Sequence, residues 1–211
     1  VHGRLGVPTS RIVRCPSGAP AWTPRAEPVY DGHILFIGSL TPRKNLPTLV
    51  RAYRALLGRR PAAPDLVLAG PIPPGATRTL GPIDTAPLCD KLRVLGYVDA
   101  PARRRLYAGA SMLVLPSLDE GFGMPVLEAM TAGVPVIAST RGALPDLVGD
   151  AGLLIDPEDE AALAAAMTQV LDDRSFADTT TARGLARAAR YDWRTTARTL
   201  LGAYADVLRE R

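Results

Sequence analysis

"MLVLPSLDEGFGMPVLEAMTAGVPVIAS", residues 112–139, decides how this chain folds. It opens on an unbroken apolar run, "MLVLP". A polar loop with two glycines follows, then a segment ending near Gly133, then a second apolar run, "PVIAS". Short uninterrupted apolar runs mark strands buried on both faces, as in parallel sheets. Pro125 suits the first turn of a helix, where its missing N–H had no intrahelical partner anyway. Gly133 suits the helix end. Strand, loop, helix and strand in this order make a βαβ unit.

The rhythm continues outward. "HILFIG", from residue 33, reads as a buried strand. "NLPTLVRAYRALLG" follows with apolar residues at 46, 49, 50, 53, 56 and 57, a helical stripe. "LVLAG" (66–70) and "LRVLGYV" (92–98) are further strands, and "APARRRLYAGA" is a short helix with Pro101 in its first turn. "GLLID" is the sixth strand and "DEAALAAAMTQVLDD" a helix. Two more helices are expected over 175–211, the last through "WRTTARTLLGAYADVLRER". Six apolar strands alternating with helices predict an α/β fold, a doubly wound Rossmann-like parallel sheet. Residues 71–87 are proline-rich and too long for an ordinary connection. Ahead of residue 29, "RIVRC" reads as a short strand and "PSGAPAWTP" as linker. A beginning without a strand–helix unit suggests the tail of something longer.

Composition agrees with such a core: 47% of residues are apolar but only 5% aromatic. The net charge is +4, carried by 23 Arg and the two lysines Lys44 and Lys91. A basic balance fits nucleic acid, anionic lipid or phosphorylated ligands, and no basic run is long enough to choose among them. No nucleic-acid partner is expected, and "RRR" (103–105) reads as a solvated helix face, with a membrane-docking patch as the alternative. Cys15 and Cys89 form no spacing motif and are expected as free thiols. His33 opens a strand and is expected to be structural. With no signal pattern and no apolar run near the ~18 residues of a membrane span, a cytoplasmic protein is expected.

Ligands on doubly wound sheets bind outside the carboxyl ends of the strands. Two loops lie there, "GSLTPRKN" and "PSLDEGFGM". In the second, Gly121 and Gly123 allow a sharp turn and close approach of backbone to ligand. The N–H groups of Phe122, Gly123 and Met124 then stand near a helix N-terminus, which favours anions. Glu120 and Glu128 flank this point and can accept hydrogen bonds from hydroxyls. In the first loop, Arg43 and Lys44 precede a helix whose N-cap is expected at Asn45. Cations there are unfavourable unless an anion lies between them and the amides. Together the loops are expected to converge on a diphosphate flanked by hydroxylated groups, the layout of a nucleotide sugar. Arg43, Lys44 and backbone amides would meet its charge, and no metal cofactor is expected. The same residues also fit an acid capping loop, a solvated Glu128 and an exposed Arg43–Lys44 pair.

"PSLDEGFGMPVLEAMTAGVPVIAST" resembles the signature of retaining glycosyltransferases of the GT-B fold, family four, also called glycosyl transferases group 1. Its hallmark is two Glu separated by seven residues with Gly-Phe-Gly and Pro between, here Glu120 and Glu128. "FIGSLTPRKNLPTLVRAY", "LGYV" and "GALPDLVGDAGLLIDPED" resemble the neighbouring blocks in order. The resemblance implies the C-terminal half of a GT-B fold, of a mannosyltransferase-like branch. It implies hexosyl transfer with retention from a nucleotide-diphosphate sugar such as GDP-mannose to a saccharide or lipid-linked acceptor, in polysaccharide biosynthesis. By the same resemblance Glu120 contacts the sugar, and Phe122, Gly123, Met124 and Val126 bind the donor. Glu128 holds the ribose. Lys44 and Arg43 neutralise the diphosphate, Ser39 lies where many members carry Arg, and Tyr97 and Val98 lie near the base. Asp146 stands where Glu is more usual.

Three divisions are expected on that basis: 1–28 as hinge and remnant of an N-terminal domain, 29–172 as the nucleotide-sugar-binding domain, and 173–211 as helices that pack back on the N-terminal domain. The acceptor domain would be encoded separately or upstream, and a lipid-linked acceptor would bring the enzyme to the inner face of a membrane. A non-catalytic nucleotide-sugar-binding module, or an inactive truncated relic, is the alternative; an epimerase sharing the architecture is a third reading, against which the Glu pair speaks.

Overall fold

The computed structural model of the chain describes residues 6–74, 88 and 90–209. His2, Cys89 and most of the proline-rich connection lie outside these residues. Six parallel strands form one sheet: β1 (His33–Ile37), β2 (Leu66–Ala69), β3 (Leu92–Gly96), β4 (Ala110–Leu115), β5 (Val136–Ser139) and β6 (Leu153–Ile155). Their spatial order is β3-β2-β1-β4-β5-β6. The described helices are α1 (Leu46–Arg59), α2 (Ala100–Ala108), α3 (Met124–Ala132), α4 (Leu144–Val148), α5 (Glu160–Asp172), α6 (Arg174–Ala188) and α7 (Trp193–Arg209).

The chain runs outward from β1 to β3, then crosses back to β4 on the other side of β1. Right-handed crossovers therefore put the helices of the two halves on opposite faces. Contacts agree for the crossover helices, α3 packing on α2 and α4 rather than on α1; after β6 the chain crosses over, α5 packing on α1 and α6 on α3. The central strands β1, β2, β4 and β5 are buried almost throughout, which is why they read as unbroken apolar runs. Phe36, Tyr53 and Tyr107 are the largest fully buried side chains. The remaining core is aliphatic and alanine-rich, as the low aromatic content requires.

Some expectations need correction. "RIVRC" makes no strand: Thr9–Arg11 form a 3-10 turn and the residues after it are irregular. The stretch read as linker lies against the domain, with the Ala19 N–H bonded to Tyr191 O at 2.8 Å and the Trp22 ring 5.6 Å from that of Tyr107. α3 begins at Met124, one residue before Pro125, and β3 ends at Gly96 rather than at residue 98. The single turn α4 was not expected, because five residues are too few to show a helical period. Cys15 is a free, exposed thiol. His33 Nε2 is buried without a partner, and burial holds the imidazole below its ordinary pKa, keeping it neutral.

Candidate functional site

The carboxyl ends of β1 and β4 lie side by side at the point where the strand order reverses. Such a switch point opens a crevice between two loops whose chains depart to opposite faces. The loops are clasped: Leu118 N–H donates to Arg43 O at 2.8 Å. The β1 loop carries a 3-10 turn, Pro42–Lys44, and the β4 loop runs from Pro116 to Gly123.

Glu120 is the meeting point. Its side chain is 8% exposed, and Lys44, equally buried, donates its ammonium to Oε1. Ser117 Oγ donates to the same oxygen at 2.8 Å, and Arg43 Nη1 lies 3.2 Å from Oε2. Arg43 also donates to Asp119 O. Burial pushes the Glu120 carboxyl up, but the bonds from Lys44, Ser117 and Arg43 outweigh it, and the net pKa is below the ordinary value. Ser139 Oγ donates to Ser117 O at 2.6 Å and Ala143 N–H to Glu120 O at 2.9 Å, so β5 and the turn before α4 brace the acid from behind.

Gly38 makes room for Lys44. A Cβ at Gly38 would stand 3.2 Å from Lys44 Cε and 3.4 Å from Nζ. Gly123 turns the chain into α3 with φ +97°, a conformation L side chains rarely adopt. Among the described residues no hydrogen bond engages the N–H groups of Phe122 or Gly123, and that of Met124 is the first of a helix, without an intrahelical partner.

Glu128, one turn into α3, is 5% exposed. Tyr107 OH donates to its Oε2 at 2.9 Å, and Arg103 Nη2 lies 3.4 Å from Oε1. Burial raises its pKa, and Arg103 and Tyr107 only partly offset this. Burial and the neighbouring carboxylate push the Tyr107 phenol well up, so it serves as a hydrogen-bond donor. A cavity of about 230 Å³ opens beside Glu128, with Gly38, Tyr97, Val98, Arg103 and Met124 among its walls. Tyr97 is 77% exposed there. On the other side of the Gly-Phe-Gly turn lies a hollow of about 540 Å³ between Phe122, Asp146 and Tyr191. Asp146 accepts from Arg14 at 2.8 Å.

The fold thus brings Arg43, Lys44 and Glu120 together, and Tyr97, Val98, Met124 and Glu128 around one cavity. Four expectations are refined or corrected. The expectation named a diphosphate as the anion meeting Arg43 and Lys44; in this structure both pair with the Glu120 carboxylate, and Gly38, where a Cβ would crowd Lys44, lines the Glu128 cavity. Val126 is fully buried, and its N–H is bonded to Gly123 O at 2.9 Å, so it is core and has neither side chain nor amide to offer a ligand. Asn45 stands at the N-cap of α1 as expected, with φ 54°; its side chain makes no capping bond and donates to Pro157 O at 2.6 Å. Arg103 is not part of a solvated face: Arg104 and Arg105 point out, while Arg103 turns in to Glu128. Ser39 Oγ is 3.5 Å from Pro71 O, at the rim.

Sequence reading missed Arg103, Tyr107, Ser117 and Ser139. Tyr107 sits four residues after Arg103, on the same side of α2, and that spacing was the available signal. Among the described residues no group of three or more His, Cys, Asp or Glu could hold a metal ion, and no helix is long and apolar enough to cross a membrane.

The family model for glycosyl transferases group 1 matches residues 31–173. The O-antigen chain mannosyltransferase B of Escherichia coli is 36% identical over 204 residues, covering 97% of this chain and 54% of that protein. The solved sucrose-phosphate synthase from Thermosynechococcus elongatus is similar with a TM-score of 0.81 and 28% identity, covering 94% of this chain and 53% of that one. The solved C-terminal domain of a glycosyl transferase group 1 family protein from Francisella tularensis has a TM-score of 0.71 at 22% identity, a likeness of fold, covering 80% of this chain and 94% of that domain. The chain spans about half the length of the first two.

Proposed function

The chain belongs to the glycosyl transferases group 1, and from that membership we propose that it is the donor-binding half of a retaining hexosyltransferase. The donor is a nucleotide-diphosphate sugar, GDP-mannose, and the acceptor a saccharide or lipid-linked saccharide. The observation that carries this reading is the convergence of Lys44, Arg43 and Glu120 at the sheet's switch point, Glu120 being on the same loop as the uncommitted amides of Phe122 and Gly123. Mannose is supported by the E. coli relative, whose name is that of a mannosyltransferase.

On this reading the diphosphate displaces the Glu120 carboxylate as the partner of Lys44 and Arg43. The released Glu120 turns to the hydroxyls of the transferred sugar. Lys44, Arg43 and the amides of Phe122, Gly123 and Met124 stabilise the charge that builds on the departing diphosphate, from positions fixed before the reaction starts. Glu128 anchors the ribose in the smaller cavity. The acceptor approaches on a further domain, whose closure orients the reactants and excludes water. The exposed apolar side of α7 supports a surface for that domain.

Calorimetric titration of the chain with GDP and GDP-mannose tests this. Lys44→Ala is expected to weaken GDP binding by more than ~1 kcal/mol, the scale of a charge-assisted hydrogen bond. Equal affinity in the variant would remove Lys44 from the diphosphate. Failure of the unaltered chain to bind GDP, UDP, ADP or their sugars would overturn the donor-site reading.

A further inference from the structure

Arg103 has hydrogen-bonding capacity that its contacts leave unused. A guanidinium presents five N–H donors in a fixed planar fork. Here Nη2 meets Glu128 Oε1 at 3.4 Å, while Nε is buried and has no partner. A buried donor without an acceptor is costly and calls for an explanation, of which a ligand acceptor is one. Nε itself is closed to solvent, but the side chain as a whole is 39% exposed, so a ligand in the cavity meets the rest of it. It lines the cavity of about 230 Å³ with Glu128, Tyr97 and Val98. Its neighbours Arg104 and Arg105 point to solvent, so helix geometry singles out Arg103 for the cavity.

We propose that Arg103 reads the nucleobase of the donor and that its fork selects guanine. This rests on the donor-site reading above. If Glu128 holds the ribose, the base lies within a few ångströms, and the Glu128 contact sets where the fork stands. Guanine alone presents two acceptors, O6 and N7, side by side on one edge, matching two parallel N–H groups of a guanidinium. Adenine pairs its N7 with an amino donor at position 6, which opposes the fork. Pyrimidines present O4 or an amino group on that edge and no N7.

The test is calorimetric titration of the 211-residue chain, and of its Arg103→Ala and Arg103→Lys variants, with GDP, ADP, UDP and pyrophosphate. Thermal melts establish that each variant is folded, and lysine keeps a cation beside Glu128 should alanine fail that check. The unaltered chain is expected to favour GDP over UDP and ADP by at least about tenfold. The alanine variant is expected to lose that preference and the lysine variant, which can donate to O6 and N7 without the planar fork, to keep only part of it; both are expected to bind pyrophosphate unchanged. A preference for UDP or ADP, or a guanine preference undiminished in either variant, would overturn the proposal. Equal loss for all nucleotides with the preference intact would do so too, and would assign Arg103 to holding Glu128. Nucleotide binding without guanine preference defeats this inference alone; no binding of any nucleotide or of pyrophosphate defeats the donor-site reading with it.

Discussion

Glu120 and Glu128 stand eight residues apart, are both buried, and are pushed in opposite directions. Glu120 has two cations and a hydroxyl, and its carboxyl falls below the ordinary 4.5; Glu128 has one longer ion pair and a phenol, and burial wins. The consequence for stability is signed. A depressed folded pKa means the native state holds its proton less firmly than the unfolded chain. The stability Glu120 contributes is therefore present above its unfolded pKa and lost as the pH falls through the folded one. Glu128 works the other way: its contribution is present below the unfolded value and lost as the pH rises through the raised one. Glu120→Gln isolates the first effect. It is expected to be less stable than the unaltered chain at pH 7, with the difference shrinking below about pH 4.5. Urea melts across pH 3–7 measure this, and parallel acid limbs for the two proteins would contradict it. At this scale the sequence was legible where a motif fixes spacing, as for the Glu pair and Lys44. For Arg103 and Tyr107 it offered only their four-residue spacing and not their partner, which lies on another helix.

At the scale of elements, the glycine turn carries the chain from the β4 loop into α3. Gly123 has φ +97°, and a Cβ there would stand 2.6 Å from Leu144 Cδ2 and 3.0 Å from Leu147 Cδ2. Gly121 has neither constraint: nothing would lie within 4 Å of its Cβ. Gly123→Ala is thus expected to cost about 1–3 kcal/mol, lowering Tm by roughly 2–12 °C, and Gly121→Ala well under 1 kcal/mol. Differential scanning calorimetry of the two variants checks this, and equal shifts would deny the turn its strain. Element type was legible because apolar periodicity is a local property. The short α4, which packs under the Gly123 turn through Leu144 and Leu147, was not: its helical form comes from that packing and from the turn before it, not from any period of its own.

On the scale of the molecule, the two sides of the chain differ. The sheet and its flanking helices share one aliphatic core, whereas α7 has no buried residue. Leu201, Tyr204, Val207 and Leu208 on α7 are 66%, 58%, 57% and 71% exposed. Leu201→Glu is therefore expected to change stability by no more than about 0.5 kcal/mol, while Leu113→Ala, in the fully buried β4, costs about 2–5 kcal/mol. Chemical denaturation of both variants tests this; a large loss for Leu201→Glu would mean that α7 is held by contacts of that face.

The sequence by itself determined the six sheet strands in order, the longer helices between and after them, the parallel sheet and the identity of the two loops at its carboxyl edge. Each of these follows from periodicity and turn chemistry over a few neighbouring residues. Only the tertiary structure decided which side chains meet: that Lys44 and Arg43 close on Glu120, that Val126 is core, and that Arg103 crosses to Glu128. Those contacts join positions 25 to 77 residues apart. They exist because the strand order reverses between β1 and β4, and no local pattern in the chain records where a crossover will bring its ends.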